Sequence, residues 1–369
     1  MPAPTSFAIR GHTLLPIVQG GMGVGVSAHR LAGAVARAGA MGTIASIDLR
    51  HHHADLSERS QRCRDKDELN RLNFIALDRE IKAALAIAAG HGLVAVNVMK
   101  AVEAYPDYVR QACASGAQAI VMGAGLPLSD ARGVAVVLKK WARKGRLPDA
   151  IVIEHPRYAG GHLGAPDPAE LANARFDFAT VLPGIFKVFD EQGIARGQIP
   201  LIVGGGFNSH EKVLAALALG ASAAQVGTPF AVTEEGDAHP NFKRVLLDAQ
   251  PEDIVTFMSV AGLPARAVKT PWLANYLKRE SRLQAVAKAD PSRCAIGLHC
   301  LAQCGLRDGL KKAGQFCIDS QLVAALKGDV NKGLFFRGSE SLPFGRAIQP
   351  VQALIDYLLT GGKPAAAAA

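Results

Sequence analysis

One imidazole in this chain stands where a strand-like run gives way to glycine. Residues 150–153 are apolar, and after Glu154-His-Pro-Arg-Tyr158 the chain reads Ala-Gly-Gly-His-Leu-Gly, which places His162 directly behind Gly160 and Gly161. Glycine allows the backbone to approach a flat ligand or to turn with positive φ. A histidine after such a turn is presented at the mouth of a site, and its ordinary pKa near 6.5 suits proton transfer at neutral pH. A strand-to-helix turn with a solvated histidine has the same local sequence.

Two further loops have the composition of an anion cradle. Gly204, Gly205 and Gly206 follow the apolar run 199–203, and Gln225-Val-Gly227-Thr228 closes the run 223–226. Consecutive glycine N–H groups plus one hydroxyl can hold a phosphate monoester without a lysine. A competing signal lies upstream. Gly23-Val-Gly25-Val-Ser-Ala28, followed by Asp48 after the next strand, matches the dinucleotide fingerprint and implies a Rossmann-like binding protein instead.

Cys294, Cys300, Cys304 and Cys317 fall within 24 residues, while Cys63 and Cys113 stand apart. Four thiolates this close are candidate ligands for an iron–sulfur cluster or zinc, although the spacing is not the C-x2-C zinc pattern. Inert thiols on a helix are the plain alternative. His51, His52 and His53 cannot all face one ion and read as a solvated loop. Glu234, Glu235, Asp237 and His239 read as helix caps or rim charges.

These residues need a scaffold, and the order of apolar runs supplies one. Strand-like runs at 14–18, 41–47, 93–98, 118–122, 133–138, 151–154, 199–203 and 223–226 alternate with helical patterns at 28–38, 76–89, 105–115, 139–144, 181–192 and 210–219. Eight strands with intervening helices predict a (β/α)8 TIM barrel, whose phosphate site lies after strands seven and eight. The fifth strand is the weakest unit, because few residues separate it from the sixth. From 234 to about 338 the strand signals stop. The expected organisation is therefore a barrel of residues 1–233 plus 345–364, with a helical insert at 234–344 carrying the cysteines. Residues 350–359 return as the last helix, and the alanine tail 365–369 frays.

Composition narrows the class. Hydrophobic residues make up 49%, aromatics 6%, and there are 38 glycines, as expected of a packed α/β core. The net charge of +9 is spread over helices without interleaved aromatics, which argues against nucleic acid and for anionic small ligands. No leader or membrane-spanning run is visible, so a cytoplasmic location is expected.

The motifs Pro16-Ile-Val-Gln-Gly-Gly-Met-Gly23, Asn97-Val-Met99, Ala159-Gly-Gly-His-Leu-Gly164, Val203-Gly-Gly-Gly206 and Gln225-Val-Gly-Thr-Pro-Phe230 occur in one order. In this the chain resembles the nitronate monooxygenases, formerly 2-nitropropane dioxygenases, which are kin of the flavin-dependent enoyl-ACP reductases. The resemblance runs from Leu14 to Phe230 and implies non-covalently bound FMN. Gln19, Gly20, Gly21 and Met22 would lie along the flavin ring, with Asn97 at its polar edge and Gly161 beside it. Gly204, Gly205, Gly206, Gln225, Gly227 and Thr228 would take the phosphate, and His162 matches the catalytic histidine. The implied reaction oxidises an alkyl nitronate with dioxygen to a carbonyl compound and nitrite, His162 first taking the α-proton of a neutral nitroalkane. An NAD(P)H-dependent reductase of an enoyl thioester or quinone on the same site is the alternative.

Overall fold

The computed structural model describes residues 6–123, 129–295 and 297–363. The loop glycine at 125 and the tail 365–369 lie outside the described residues. A hairpin of β1 (Phe7–Ile9) and β2 (His12–Leu14) opens the chain. Then come β3 (Ile17–Gln19), α1 (His29–Arg37), β4 (Met41–Ala45), α2 (Ala54–Ser60), α3 (Lys66–Ala88), β5 (Leu93–Met99), α4 (Tyr105–Ala114) and β6 (Ala119–Gly123). The second half of the sheet is built from α5 (Ala131–Ala142), β7 (Ile151–Glu154), β8 (Gly161–His162), α6 (Phe178–Glu191), β9 (Leu201–Gly204), α7 (His210–Ala218) and β10 (Ala223–Val226).

Seven of these strands form one parallel sheet in the order β6-β5-β4-β3-β10-β9-β7. Alternation along each strand divides its side chains between two layers. Val18, Met41, Ala95, Ile202 and Ala223 meet in one inner cluster, with Val121 and Val152 packed against it. Ile17, Ile151, Ile153, Leu201, Val203, Ala224 and Val226 pack outward with residues of the helices. One face of strands from both halves converges on the inner cluster, so the sheet is curled as in a barrel.

The expected fifth strand at 133–138 is a correction: these residues belong to α5. Strand periodicity would bury residues 134, 136 and 138 alike, yet Val134 and Leu138 are buried while Val136 is 49% exposed. That is an i, i+4 stripe, and the Asp130 carboxylate caps the helix by accepting from the Gly133 amide at 2.9 Å.

Beyond β10 follow α8 (Thr228–Ala231), α9 (Pro240–Asp248), β11 (Ile254–Met258), β12 (Pro264–Val268), α10 (Pro271–Leu277), α11 (Glu280–Ala285), α12 (Gly305–Asp308), α13 (Ile318–Leu326) and α14 (Val351–Thr360). This region is not purely helical as expected. β11 and β12 form an antiparallel hairpin, and β12 also pairs with β8. Residues 234–344 also share a core with the sheet region, since Val26, Ala231, Phe242, Val268, Leu326 and Phe335 form one cluster. α14 packs into the outer layer through Val351, Leu354, Ile355 and Leu358. No described helix is long and apolar enough to cross a membrane.

Candidate active site

The C-terminal ends of the parallel strands form the mouth where groups of this fold gather. Strand register sets Glu154 beside Gly204 and Gly204 beside Gln225. Across the sheet it sets Ala45 beside Asn97. The Gln225 side chain lies against Gly20 and Gly204, where a Cβ would come within 3.4 and 3.3 Å of it. Asn97 occupies the space over Gly21, where a Cβ would fall 2.5 Å from the Asn97 Cβ. Two amide side chains and four glycine backbones, those of Gly20, Gly21, Gly123 and Gly204, thus line the mouth.

The other ring residues are placed as follows. Gln19 is fully buried. Its Oε1 accepts from the Thr43 amide at 2.7 Å and its Nε2 donates to the Gly20 carbonyl, so its side chain ties β3 to β4. The Met22 amide donates to Ser27 Oγ at 2.9 Å, which turns the chain above β3.

The paired glycine loops lie side by side because β9 and β10 are neighbours. Gly205 has φ +102°, and a Cβ there would meet the His155 carbonyl oxygen at 2.8 Å. Only glycine fits both conditions without strain. Thr228 follows Gly227, and its Oγ1 accepts from the Gly338 amide at 3.0 Å. The hydroxyl hydrogen of Thr228 is thereby left for a second acceptor. A strap at 337–341 crosses here, with the Ser339 amide donating to the Tyr158 carbonyl at 3.2 Å and Asn208 Nδ2 donating to the Ser341 carbonyl at 2.9 Å.

His162 sits in β8 opposite Ala265 of β12. Its ring lies 5.7 Å from the Phe336 ring in an edge arrangement. Its Nε2 is shielded from solvent and has no hydrogen-bond partner among the described residues. Burial pushes the imidazole down to about 4, so it is neutral at pH 7 with a basic nitrogen free. Arg266, opposite Gly161, donates to the carbonyls of Pro156 (3.2 Å) and Ala159 and clamps the loop that carries the histidine. Burial also pushes the Glu154 carboxyl up to about 7, against the pull of the Arg266 guanidinium.

Glu154, Arg266 and Phe336 were not singled out by sequence reasoning. A signal existed for two of them: Glu154 ends an apolar strand, and Arg266 interrupts the apolar run of β12.

Several sequence candidates fall elsewhere. Among the described residues no group of three or more His, Cys, Asp or Glu side chains is placed to hold a metal ion. This corrects the expected metal set of Cys294, Cys300, Cys304 and Cys317. Cys300 and Cys304 pack against an apolar cluster containing Leu301 and Phe316, and Cys317 Sγ accepts from Ser320 Oγ at 3.2 Å. Burial pushes the Cys300 thiol well up.

The dinucleotide reading fails too. Asp48 is fully buried and accepts from Asn73 Nδ2 at 2.9 Å, so no ribose can reach it. The helix terminus that would take the pyrophosphate is already capped: the Asp237 carboxylate accepts from the amides of Ala28, Arg30 and Leu31, and Glu80 accepts from that of His29. The triple histidine is not simply solvated. His52 Nε2 lies 2.8 Å from the Gly25 carbonyl and His53 Nε2 lies 2.9 Å from Glu80. Asp237 and His239 cap helices, the latter accepting from the Asn241 amide at 3.1 Å, and Glu235 accepts from the Val351 amide at 2.9 Å.

Comparison with known proteins bears on the family and the fold. A family model described as nitronate monooxygenase matches residues 6–361. A Bacillus subtilis (strain 168) protein named "Probable nitronate monooxygenase" is 32% identical over 123 residues, which span 33% of this chain and 33% of that protein. A Rhodococcus jostii (strain RHA1) protein, named (3aS,4S,5R,7aS)-5-hydroxy-7a-methyl-1-oxo-octahydro-1H-indene-4-carboxyl-CoA dehydrogenase, is 26% identical over 286 residues, 74% of this chain and 68% of that protein. Among solved structures, FabK from Thermotoga maritima superposes with a TM-score of 0.59 at 22% identity, covering 93% of this chain and 91% of that one. The last likeness is one of fold.

Proposed function

Since the chain belongs to the nitronate monooxygenase family, we propose that it is an FMN-dependent oxidoreductase that oxidises alkyl nitronates at the barrel mouth. The residues present fit the cofactor. The glycines beside Asn97 and Gln225, whose Cβ positions those amide side chains fill, would lie along a flat ring, while the amides of Gly205, Gly206 and Gly227 and the Thr228 hydroxyl would suit its phosphate. When bound, FMN supplies the redox chemistry that connects substrate to dioxygen.

The chain's own part is proton handling and orientation. Neutral His162 takes the α-proton of a nitroalkane: the C–H bond breaks, an N–H bond forms at Nε2, and the electron pair stays on the substrate as its nitronate. Arg266 holds the loop so that the imidazole keeps its place, and Phe336 shields it from water. The observation that carries this reading is the buried, partnerless Nε2 of His162. The test is to load the protein with FMN and follow oxygen uptake with nitroalkane and with pre-formed nitronate. Nitrite formed in step with oxygen consumed supports the activity, and bound flavin without such turnover rejects it.

One observation favours a second reading. The relative named as a CoA-thioester dehydrogenase aligns over 74% of this chain, against 33% for the Bacillus nitronate monooxygenase homologue. Under this reading the site serves an NAD(P)H-linked reaction on an enoyl thioester or quinone. Rapid flavin bleaching on anaerobic mixing with NADH, reversed by an enoyl-CoA or a quinone, would select it.

A further inference from the structure

We propose that Glu154 is a second functional side chain of this mouth: a neutral carboxylic acid that donates a hydrogen bond to the ligand bound there. The inference rests on the FMN reading above and adds a residue that the family motifs do not contain. Its first support is register. Ile151 and Ile153 pack outward with the helices, whereas Val152 packs against the inner cluster. Glu154, two residues on, therefore faces the interior of the curled sheet. It shares a row with Gly204, the first glycine of the phosphate loop, and through it with Gln225.

The second support is what surrounds it. β9, the strand paired with β7, contributes Leu201, Ile202, Val203 and Gly204, none of them ionisable. From β12 the charged group whose field reaches Glu154 is Arg266, and that guanidinium is engaged with the carbonyls of Pro156 and Ala159. His155, next in sequence, is turned to Asp177 at 3.1 Å, and His162 on β8 is neutral. Among the described residues no side-chain hydrogen bond stabilises a carboxylate there, so the acid form persists to about pH 7. A carboxyl kept neutral in this way is a hydrogen-bond donor, and it opposes His162, whose environment removes a proton where that of Glu154 retains one.

The test needs no turnover. FMN binding to the apoprotein is measured by flavin fluorescence from about pH 6 to about pH 8.5 for the wild type and for Glu154→Gln. Ionisation of Glu154 turns a donor into a like charge facing an anionic ligand, so wild-type affinity should weaken by about tenfold more than that of the variant over this range. Glutamine keeps a donor and cannot ionise, which makes its profile the reference. Coincident profiles would overturn the proposal while leaving the flavin reading intact. A wild type that binds no FMN at any pH would remove both. If the variant does not fold, infrared difference spectra of wild type with and without FMN decide: a protonated-carboxyl band that shifts on binding supports the proposal, and no such band rejects it.

Discussion

At the N-terminus of α1 carboxylates are engaged on several sides, whereas at the barrel mouth the Glu154 carboxyl and His162 Nε2 have no side-chain hydrogen bond among the described residues. Asp237 accepts from the amides of Ala28 (2.7 Å), Arg30 (3.1 Å) and Leu31 (3.1 Å), and Glu80 accepts from the His29 amide at 2.8 Å with His53 Nε2 2.9 Å away. His162 Nε2 has no such partner among the described residues. Burial raises the Asp237 carboxyl in spite of its amide donors, whereas Glu80 and Glu154 shift in opposite directions. Burial raises the Glu80 carboxyl, but His29 and His53 beside it outweigh this and hold it at about 2. At Glu154 burial outweighs the pull of the Arg266 guanidinium and the carboxyl rises to about 7. Both regions contain histidine and glutamate, and even at the joint Glu80 Oε1 and His53 Nε2 have no hydrogen-bond partner among the described residues. The two regions therefore differ in how many partners the protein supplies, Glu80 Oε2 accepting from the His29 amide and lying 2.7 Å from His29 Nδ1.

The largest effect should follow from His162→Asn. Turnover of neutral nitroalkanes is expected to fall by roughly 10²–10⁴-fold, the worth of a positioned general base. Pre-formed nitronate, which needs no proton removed, should lose less, and steady-state kinetics on both forms checks this. Equal losses would make His162 a positioning group only, and the mouth would then resemble the joint.

Glu80→Ala should strike stability rather than turnover. Removing the buried carboxylate is expected to cost about 2–3 kcal/mol near pH 7, read by urea unfolding, with FMN affinity of the folded protein unchanged. The sign of its pH dependence is set by a lowered folded-state pKa. Its contribution is present above the unfolded value and disappears as pH falls from about 4.5 towards 2. An unchanged acid limb in the variant would contradict the assignment.

Glu154→Gln should act in the other direction. A carboxyl raised in the folded state favours folding at acid pH, and that advantage is lost as pH rises from about 4.5 through about 7. The variant should be more stable than wild type by about 1–2 kcal/mol at alkaline pH, and equal to it at acid pH. Denaturation at two pH values measures the difference.

Cys300→Ser should have the smallest effect, a loss of about 1 kcal/mol from replacing a buried thiol with a hydroxyl. The visible spectrum of the flavin-loaded protein should not change. Iron or zinc found in wild type and lost in the variant would show that the cysteines form a third kind of region.

Much of this was legible in one dimension because strand and helix periodicity are local. Apolar runs placed β3, β4, β5, β6, β7, β9 and β10, the glycines after them marked the loops at Gly204 and Gly227, and the Ala-Gly-Gly-His motif marked His162. Failures came where neighbours distant in sequence decided the outcome. The 133–138 run has strand composition, yet only packing that buries Val134 and Leu138 and leaves Val136 exposed makes it helix. The Gly23–Gly25 fingerprint is intact as sequence, but Asp237 and Glu80 arrive from 209 and 51 residues away to occupy the helix terminus.

What the sequence determined by itself was the set of strand ends, the glycine loops and the one histidine among them, because backbone freedom and apolar alternation belong to each segment alone. Tertiary structure decided the surroundings of each group. It joined β12 to β8, brought Arg266 under the histidine loop, turned Glu154 inward and left His162 Nε2 without a partner among the described residues. Desolvation and hydrogen bonding depend on what surrounds a group, and those surroundings exist only once the chain has folded.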